Sequence, residues 1–252
     1  MRALLPEPVE DVDVHAFYAA DWVERGGLRV NFVASVDGAA QAGGRSEGLQ
    51  TRGDNRVFAA LRDLADVVMA GLGTVTIEGY RGVRVSPERA ALRRAYGLAD
   101  VLPTAVMSRS LRLNPDSALF TDVAPGARTI VLTCAAAPLD RRLALARVAD
   151  VAVCGETQVE APLVRAALQE RGLTRILSEG GPVAFGTLAA GGAVDELCLS
   201  VTPLLVGPGP TRITAGAAEW GASFGLRLTG LLEEDGALFM RYRMPGTIAS
   251  KS

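Results

Sequence analysis

The sequence predicts an α/β fold: a mostly parallel sheet with helices on both faces and antiparallel strands added near its carboxyl end. Three observations carry that prediction. From Leu28 to Ala190, short apolar runs alternate with stretches of helical periodicity, the pattern of strands joined by crossover helices. The last two strand-like runs, Glu196–Thr202 and Ala237–Arg243, have no helical pattern between them, which points to an antiparallel addition at the sheet edge. Finally, 252 residues with 49% hydrophobic and 21% charged side chains supply one large core without the composition of a disordered chain.

In chain order, residues 1–27 read as an amino-terminal extension, with 14–17 as a surface segment near a mobile end. Residues 28–245 read as a single domain and 246–252 as a tail. The run 28–35 is a strand that ends in a polar, Gly-rich loop reaching Gly53, a length at which a structureless connection suggests function. Helical spacing of Val57, Phe58, Leu61 and Leu64 predicts a helix over 54–64, with Asp54 placed to cap it. A buried strand follows at 66–70, then a Gly-rich corner and a basic stretch containing Arg81, Arg84, Arg89, Arg93 and Arg94. Further strands are expected at Thr104–Met107, 129–132, 151–153 and 175–177. Helices are expected at 139–147, 161–171 and Pro182–Ala190. The strand-like runs 196–201 and 237–242 are expected to lie at an edge, where they would be free to pair or pack between subunits.

Charge and residue scarcity exclude several chemistries. Lys and Arg number 26 against 28 Asp and Glu, a net charge of −2, so no chain-wide basic footprint for nucleic acid exists. No run approaches the ~20 apolar residues of a membrane helix. Pro6, Glu7 and Pro8 interrupt the opening apolar run before a signal core can form, so the expectation is a soluble, cytoplasmic protein. Cys134, Cys154 and Cys198 stand far apart, each in or beside an apolar run, and His15 is the sole histidine. That spacing predicts no zinc site and no Ser-His-Asp or Cys-His catalysis. Carboxylates, arginines, hydroxyls or a bound cofactor must carry the chemistry.

In open α/β sheets ligands bind beyond the carboxyl ends of strands, and four such places stand out. Ser178-Glu179-Gly180-Gly181-Pro182 leaves a strand and opens a helix; its glycines admit a ligand to the backbone, and its free N–H groups favour a phosphate. The same turn also suits a plain tight connection. Glu179 beside an anion site is costly unless it accepts hydrogen bonds from a sugar or base. Gly71-Leu72-Gly73-Thr74-Val75 offers backbone donors and one hydroxyl, without the Lys of a phosphate-binding P-loop or the third glycine of a dinucleotide fingerprint. Ser108-Arg109-Ser110 suits a phosphate monoester such as the 2′-phosphate of NADPH, or a solvated turn. The loop from Asp37 through Ser46 to Asp54, facing Arg62, has the composition of a substrate lid.

Taken together, Ser35-Val36-Asp37-Gly38, Ser46, Leu61-Arg62, Gly71-Leu72-Gly73-Thr74-Val75, Ser178-Glu179-Gly180-Gly181, Val194-Asp195-Glu196-Leu197 and Thr202-Pro203-Leu204-Leu205-Val206-Gly207 resemble the reductase domain of the bifunctional riboflavin-biosynthesis deaminase/reductase. More remotely, they resemble dihydrofolate reductase. The resemblance implies a dihydrofolate-reductase-like mixed sheet, a homodimer, NADPH as hydride donor and a ribosylamino-pyrimidine 5′-phosphate as substrate. It implies that Thr74 and the backbone of Gly71, Gly73, Gly180 and Gly181 hold the cofactor phosphates and that Val33 lines the nicotinamide pocket; Val75, Pro182, Ser108 and Arg109 complete the expected cofactor-binding set. Ser46 and Arg62 would bind the phosphoribosyl end and Glu179 would accept from the substrate, with Asp37, Glu78 and Arg84 completing the substrate set. The deaminase half of the bifunctional enzyme, with its zinc ligands, has no counterpart here. This chain departs from the family at Ala39, where a cation is common, at Leu49-Gln50-Thr51, and at Glu78-Gly79-Tyr80, where Asp and Asn-Pro are usual. A second reading follows from dihydrofolate reductase: Asp54 would anchor a pterin and deliver a proton, its pKa raised by an apolar pocket. A third is a nucleotide-binding protein without turnover.

Overall fold

Aliphatic and β-branched runs become interior strands where helices cover both faces. In a computed structural model that describes residues 1–209, 211–216, 223 and 225–245, the chain begins β1 (Arg2–Leu5), α1 (Val14–Ala19), α2 (Trp22–Arg25), β2 (Gly27–Ser35), α3 (Arg52–Asp63), β3 (Val67–Gly71), α4 (Leu72–Ile77), α5 (Pro87–Ala95) and β4 (Thr104–Met107). It continues α6 (Ala118–Thr121), β5 (Ile130–Thr133), α7 (Leu139–Ala146), β6 (Asp150–Val153), α8 (Ala161–Gln169), β7 (Arg175–Ser178), α9 (Pro182–Ala190), β8 (Glu196–Thr202), β9 (Arg227–Glu234) and β10 (Ala237–Arg243). The expected tail, 246–252, lies outside the described residues.

The strands form one sheet of ten in the order β1-β9-β10-β8-β2-β7-β3-β4-β5-β6. From β8 to β6 every neighbouring pair is parallel, while β10, β9 and β1 attach antiparallel. The mixed, mostly parallel sheet implied by the resemblance is therefore the one observed. The chain builds outward from β3 to β6, then returns to insert β7 between β3 and β2. That reversal opens a crevice at the carboxyl ends of β2, β7 and β3.

Four expectations need correction. Residues 1–27 are not an appendage: β1 pairs with β9, and Tyr18 and Trp22 are buried in the core. Two buried cations hold this segment. Arg29 donates to the Tyr18 carbonyl at 2.8 Å and to Glu196 at 2.9 Å, and lies 4.2 Å over the Trp22 ring; Arg241 donates to Glu196 at 2.6 Å and to the Phe17 carbonyl at 2.6 Å. Burial alone would raise the Glu196 pKa, but Arg29 and Arg241 outweigh it and hold the carboxyl below its ordinary value. Second, His15 is no loose surface residue, since its Nε2 stands 3.1 Å from the Asp63 carboxylate.

Third, the runs 196–201 and 237–242 are not edges. They belong to β8 and β10, each with a strand on both sides, because β9 precedes them in the sheet and β1 covers β9; the sheet's edges are β1 and β6. Fourth, α3 starts earlier than its apolar periodicity suggested. Thr51 is the cap, its hydroxyl accepting from the Asp54 N–H at 3.1 Å, which puts Asp54 in the first turn and buries it. Beneath the other end of α3, the fully buried Arg93 donates to the carbonyls of Arg62, Asp63, Ala65, Ala99 and Val101, so it anchors α3 to α5 through backbone acceptors rather than a carboxylate.

Candidate active site

A single cleft of about 1570 Å³ lies over the carboxyl ends of β2, β7, β3 and β4. One small ligand fills ~300–1,000 Å³, so this volume accommodates two ligands side by side.

On one side the wall is backbone. Gly71, ending β3, donates its N–H to the Gly180 carbonyl at 2.7 Å, which ties the two glycine corners together. A Cβ on Gly181 would stand 2.5 Å from the Thr74 hydroxyl, one on Gly71 would stand 3.0 Å from Ala184, and one on Gly180 (φ +89°) would meet the Phe32 ring at 2.8 Å. A Cβ at Gly180 or Gly181 would therefore collide with the protein itself, and one at Gly71 would press on Ala184. Gly73 faces open space. Gly71, Gly73, Thr74, Gly181, Pro182 and Val33 all line the cleft, with Ser108, Arg109 and Ser110 at the end of β4. Two expected members do not reach it: Val75 is packed in the core, and Gly180 lies behind the wall. The Ser108 hydroxyl is engaged locally, accepting from the Leu111 N–H at 3.0 Å, whereas Arg109 is exposed and enters no ion pair among the described residues.

On the α3 side the wall is a network of side chains. Glu179, at the end of β7, accepts from Arg62 Nε at 2.6 Å and Nη2 at 2.7 Å, and from the Tyr80 hydroxyl at 2.5 Å. The Arg62 guanidinium also lies 4.3 Å over the Phe58 ring. Burial would lower the Arg62 pKa, but Glu179 reverses this and raises it. Burial raises the Tyr80 pKa, and the Glu179 charge pushes it further. Arg62 Nη1 donates to no described residue. The Ser46 N–H and hydroxyl both reach Glu78 at 3.1 Å, which fastens the Gly-rich loop to the end of α4. Asp54 and Asn31 line the same side, and Oδ1 of each is buried with no hydrogen-bond partner among the described residues. Burial raises the Asp54 pKa, with the Ser200 hydroxyl acting in the opposite direction.

Two candidates fall outside the cleft. Asp37 is committed to structure: it accepts from Ser35 and from the Val206 and Gly207 N–H groups at 3.1 and 2.8 Å, and these bonds, led by Ser35, lower its pKa. Arg84 is exposed and pairs with Asp122. Sequence reasoning missed Asn31, Phe58 and Tyr80. Asn31 did leave a signal, as a polar residue between the apolar Val30 and Phe32 of a buried strand. Among the described residues no cluster of His, Cys, Asp and Glu could hold a metal, and no helix is long and apolar enough to cross a membrane.

A parallel sheet that reverses its strand order beneath a wide cleft, with glycine corners on one side and a buried Arg–Glu pair on the other, defines an α/β protein with a ligand crevice at its switch point. The chain belongs to the RibD C-terminal domain family, which matches it over residues 27–230. Among curated proteins it is 29% identical over 179 residues, 71% of this chain and 80% of its relative, to the 2,5-diamino-6-ribosylamino-4(3H)-pyrimidinone 5′-phosphate reductase of Archaeoglobus fulgidus. Among solved structures it resembles a pyrimidine reductase-like protein from Corynebacterium diphtheriae, with a TM-score of 0.82, 24% identity and coverage of 92% of this chain and 98% of that one. It also resembles the diaminohydroxyphosphoribosylaminopyrimidine deaminase/5-amino-6-(5-phosphoribosylamino)uracil reductase of Thermotoga maritima, with a TM-score of 0.63, 16% identity and coverage of 91% and 59%. These two structural likenesses bear on fold.

Proposed function

We propose that the protein is an NADPH-dependent reductase acting on a ribosylamino-pyrimidine 5′-phosphate in the cytoplasm, reducing the opened ribose to a ribityl chain. The observation that carries this reading is the division of one cleft into a backbone cradle and a charged, hydrogen-bonding wall. The cradle fits a dinucleotide, since Gly71, Gly73 and Gly181 line it with bare backbone and a side chain at Gly73 would project into open space. Gly71, Gly73, Thr74 and Gly181 would hold the pyrophosphate, Arg109 with Ser108 the 2′-phosphate, and Val33 the nicotinamide face. Bound NADPH supplies the hydride.

The chain's own residues bind and orient the acceptor. Arg62, locked by Glu179 and stacked on Phe58, presents Nη1 to the substrate phosphate, and Ser46 stands on the lid beside it. Glu179 fixes the guanidinium plane and Tyr80 fixes Glu179, so near-attack geometry is set before the substrate arrives. Anaerobic mixing with NADPH and the pyrimidine phosphate, followed at the absorbance of reduced nicotinamide, tests the reading. Oxidation supports it; binding of NADPH without oxidation by this substrate or by dihydrofolate favours a nucleotide-binding protein without turnover. Arg62→Ala should raise KM for the phosphorylated substrate far more than for a pterin, and equal effects would remove the phosphate role.

The functional unit in this reading is a homodimer. Its support is the exposed apolar pair Leu204 and Leu205, the latter 81% exposed, immediately after β8. Sedimentation at several concentrations checks it, and a monomer throughout would end it.

A further inference from the structure

A short segment after β8 touches both halves of the cleft. Leaving β8, the chain is first pinned beside the end of β2, where the Leu204 carbonyl accepts from the Val36 N–H at 3.1 Å and Asp37 accepts from the Val206 and Gly207 N–H groups. Residues 211–216 then run from one side of the cleft to the other. At one end the Thr211 carbonyl accepts from the Ala40 N–H at 2.8 Å and the Thr211 hydroxyl from Gln41 Nε2 at 3.3 Å, which fastens the Gly-rich loop. At the other end the Ala215 N–H donates to the Pro182 carbonyl at 3.1 Å, beside the Gly181 corner. Thr211, Ala215, Gln41 and Pro182 all line the cleft. Between the two ends Ile213 packs against the core cluster that holds Phe185 and Leu188 of α9.

The seat on α9 is shaped for this segment. A Cβ on Gly186 would stand 2.5 Å from the Ala215 carbonyl oxygen, and one on Gly216 would stand 3.3 Å from the Val183 side chain. Gly186 lies inside α9, where glycine weakens a helix, and its packing reason is that the Ala215 backbone approaches where a side chain would stand. The tether is also short. From Thr211 to Ala215 the chain reaches at most ~14 Å when fully extended, so neither end shifts far without moving the other or breaking a hydrogen bond.

We propose that residues 211–216 form a strap that couples the two halves of the cleft, with Gly186 as the positioning residue that seats it, so that a dinucleotide in the glycine half tightens binding of a phosphorylated acceptor in the other. The inference rests on the reductase reading above and deepens it. A dinucleotide against Gly181 and Pro182 holds the α9 corner and with it the Ala215 end of the strap. The Thr211 end then holds Ala40 and Gln41, and the loop that carries Ser46 is ordered before the acceptor arrives. The first ligand meets the ordering cost, which gives positive cooperativity without any contact between the ligands. Linkage makes the effect reciprocal, so the acceptor tightens the dinucleotide by the same factor.

Calorimetric titration of the ribosylamino-pyrimidine 5′-phosphate into the protein, alone and saturated with NADP⁺, measures the coupling without turnover. The wild type should bind the phosphate compound ~10-fold tighter when NADP⁺ is bound. Gly186→Ala should reduce that ratio to below ~2-fold while NADP⁺ affinity and Tm stay near their wild-type values, because alanine favours the helix while its Cβ displaces the Ala215 carbonyl. A wild-type ratio near one would overturn the inference and leave the reductase reading intact. So would a Gly186→Ala protein that keeps the wild-type ratio or loses both affinities in proportion, as a merely structural role would have it. Failure of the wild type to bind NADP⁺ or the phosphate compound would overturn both. If Gly186→Ala does not fold, Gln41→Ala, which removes the side-chain tie at the other end of the strap, takes its place: the ratio should fall by ~3-fold or more, and an unchanged ratio would overturn the inference.

Discussion

The two sides of the cleft are built from different materials. The glycine side is backbone, held by chain geometry: a Gly71 N–H on the Gly180 carbonyl and side chains absent where they would collide. The α3 side is four side chains from three separate segments, Phe58 and Arg62 from α3, Tyr80 after α4 and Glu179 after β7, brought together by the fold. The glycine wall resists added atoms at Gly180 and Gly181 yet constrains few side-chain identities, whereas a side-chain network fails when any member is removed. The glycine half, the proposed cofactor side, is therefore breakable by addition, and the α3 half, the proposed substrate side, by deletion.

Deletion at the centre of the network has the largest expected effect. Glu179→Ala leaves Arg62 largely buried without its counter-charge, and removing one partner of such a pair costs ~3 kcal/mol or more. Urea unfolding should show the loss, with KM for the phosphorylated substrate raised in parallel; a shift below ~1 kcal/mol would mean that the cleft's water solvates Arg62. Addition on the opposite wall comes next. Gly180→Ala places a Cβ against Phe32 in a backbone conformation that L residues rarely adopt, at a cost of ~2 kcal/mol. Calorimetric titration should show weakened NADPH binding, because the displaced corner also carries Gly181. Retained affinity would show that the cradle does not depend on this approach. Tyr80→Phe removes one hydrogen bond to a carboxylate, worth ~1.5 kcal/mol, and should disturb kcat through Glu179 orientation more than it disturbs NADPH binding.

The same contrast explains how much of the molecule was legible in the sequence. Strands that alternate with helices announce a parallel sheet through composition and period alone, and glycine corners after strands announce bare backbone at the cleft through residue type. The four-residue β1 and the six- and four-residue helices α1 and α2 are too short for any period to show. Their place in the fold depends on Arg29 and Arg241 meeting Glu196, a contact between distant segments. The strand β9 went unread, although Asp235-Gly236, both with positive φ, is a two-residue turn signal that marks the β9–β10 hairpin. On the α3 side, Arg62 and Glu179 were visible as residue types, but their mutual pairing was not, since 117 positions separate them. Asp54 misled for a local reason. A carboxylate ahead of an apolar period reads as a cap, and only the Thr51 hydroxyl, already in that role, turns Asp54 inward.

That inward turn sets the smallest effect and sharpens the comparison most. Burial raises the folded pKa of Asp54 above its unfolded value, so the carboxyl favours the folded state fully only while it is protonated. Its contribution is present below the unfolded pKa and is lost as pH rises through the folded one. Asp54→Asn keeps the shape without the charge. The Tm difference between variant and wild type should therefore grow in the variant's favour from acid toward neutral pH, the reverse of what a salt-bridged carboxylate would give. A difference that shrinks over this range would mean that the ionised form is already satisfied by Ser200, and that the wall under α3 holds no unspent acceptor. A growing difference identifies a charge kept at the expense of stability, which the fold has reason to retain only if a ligand completes it.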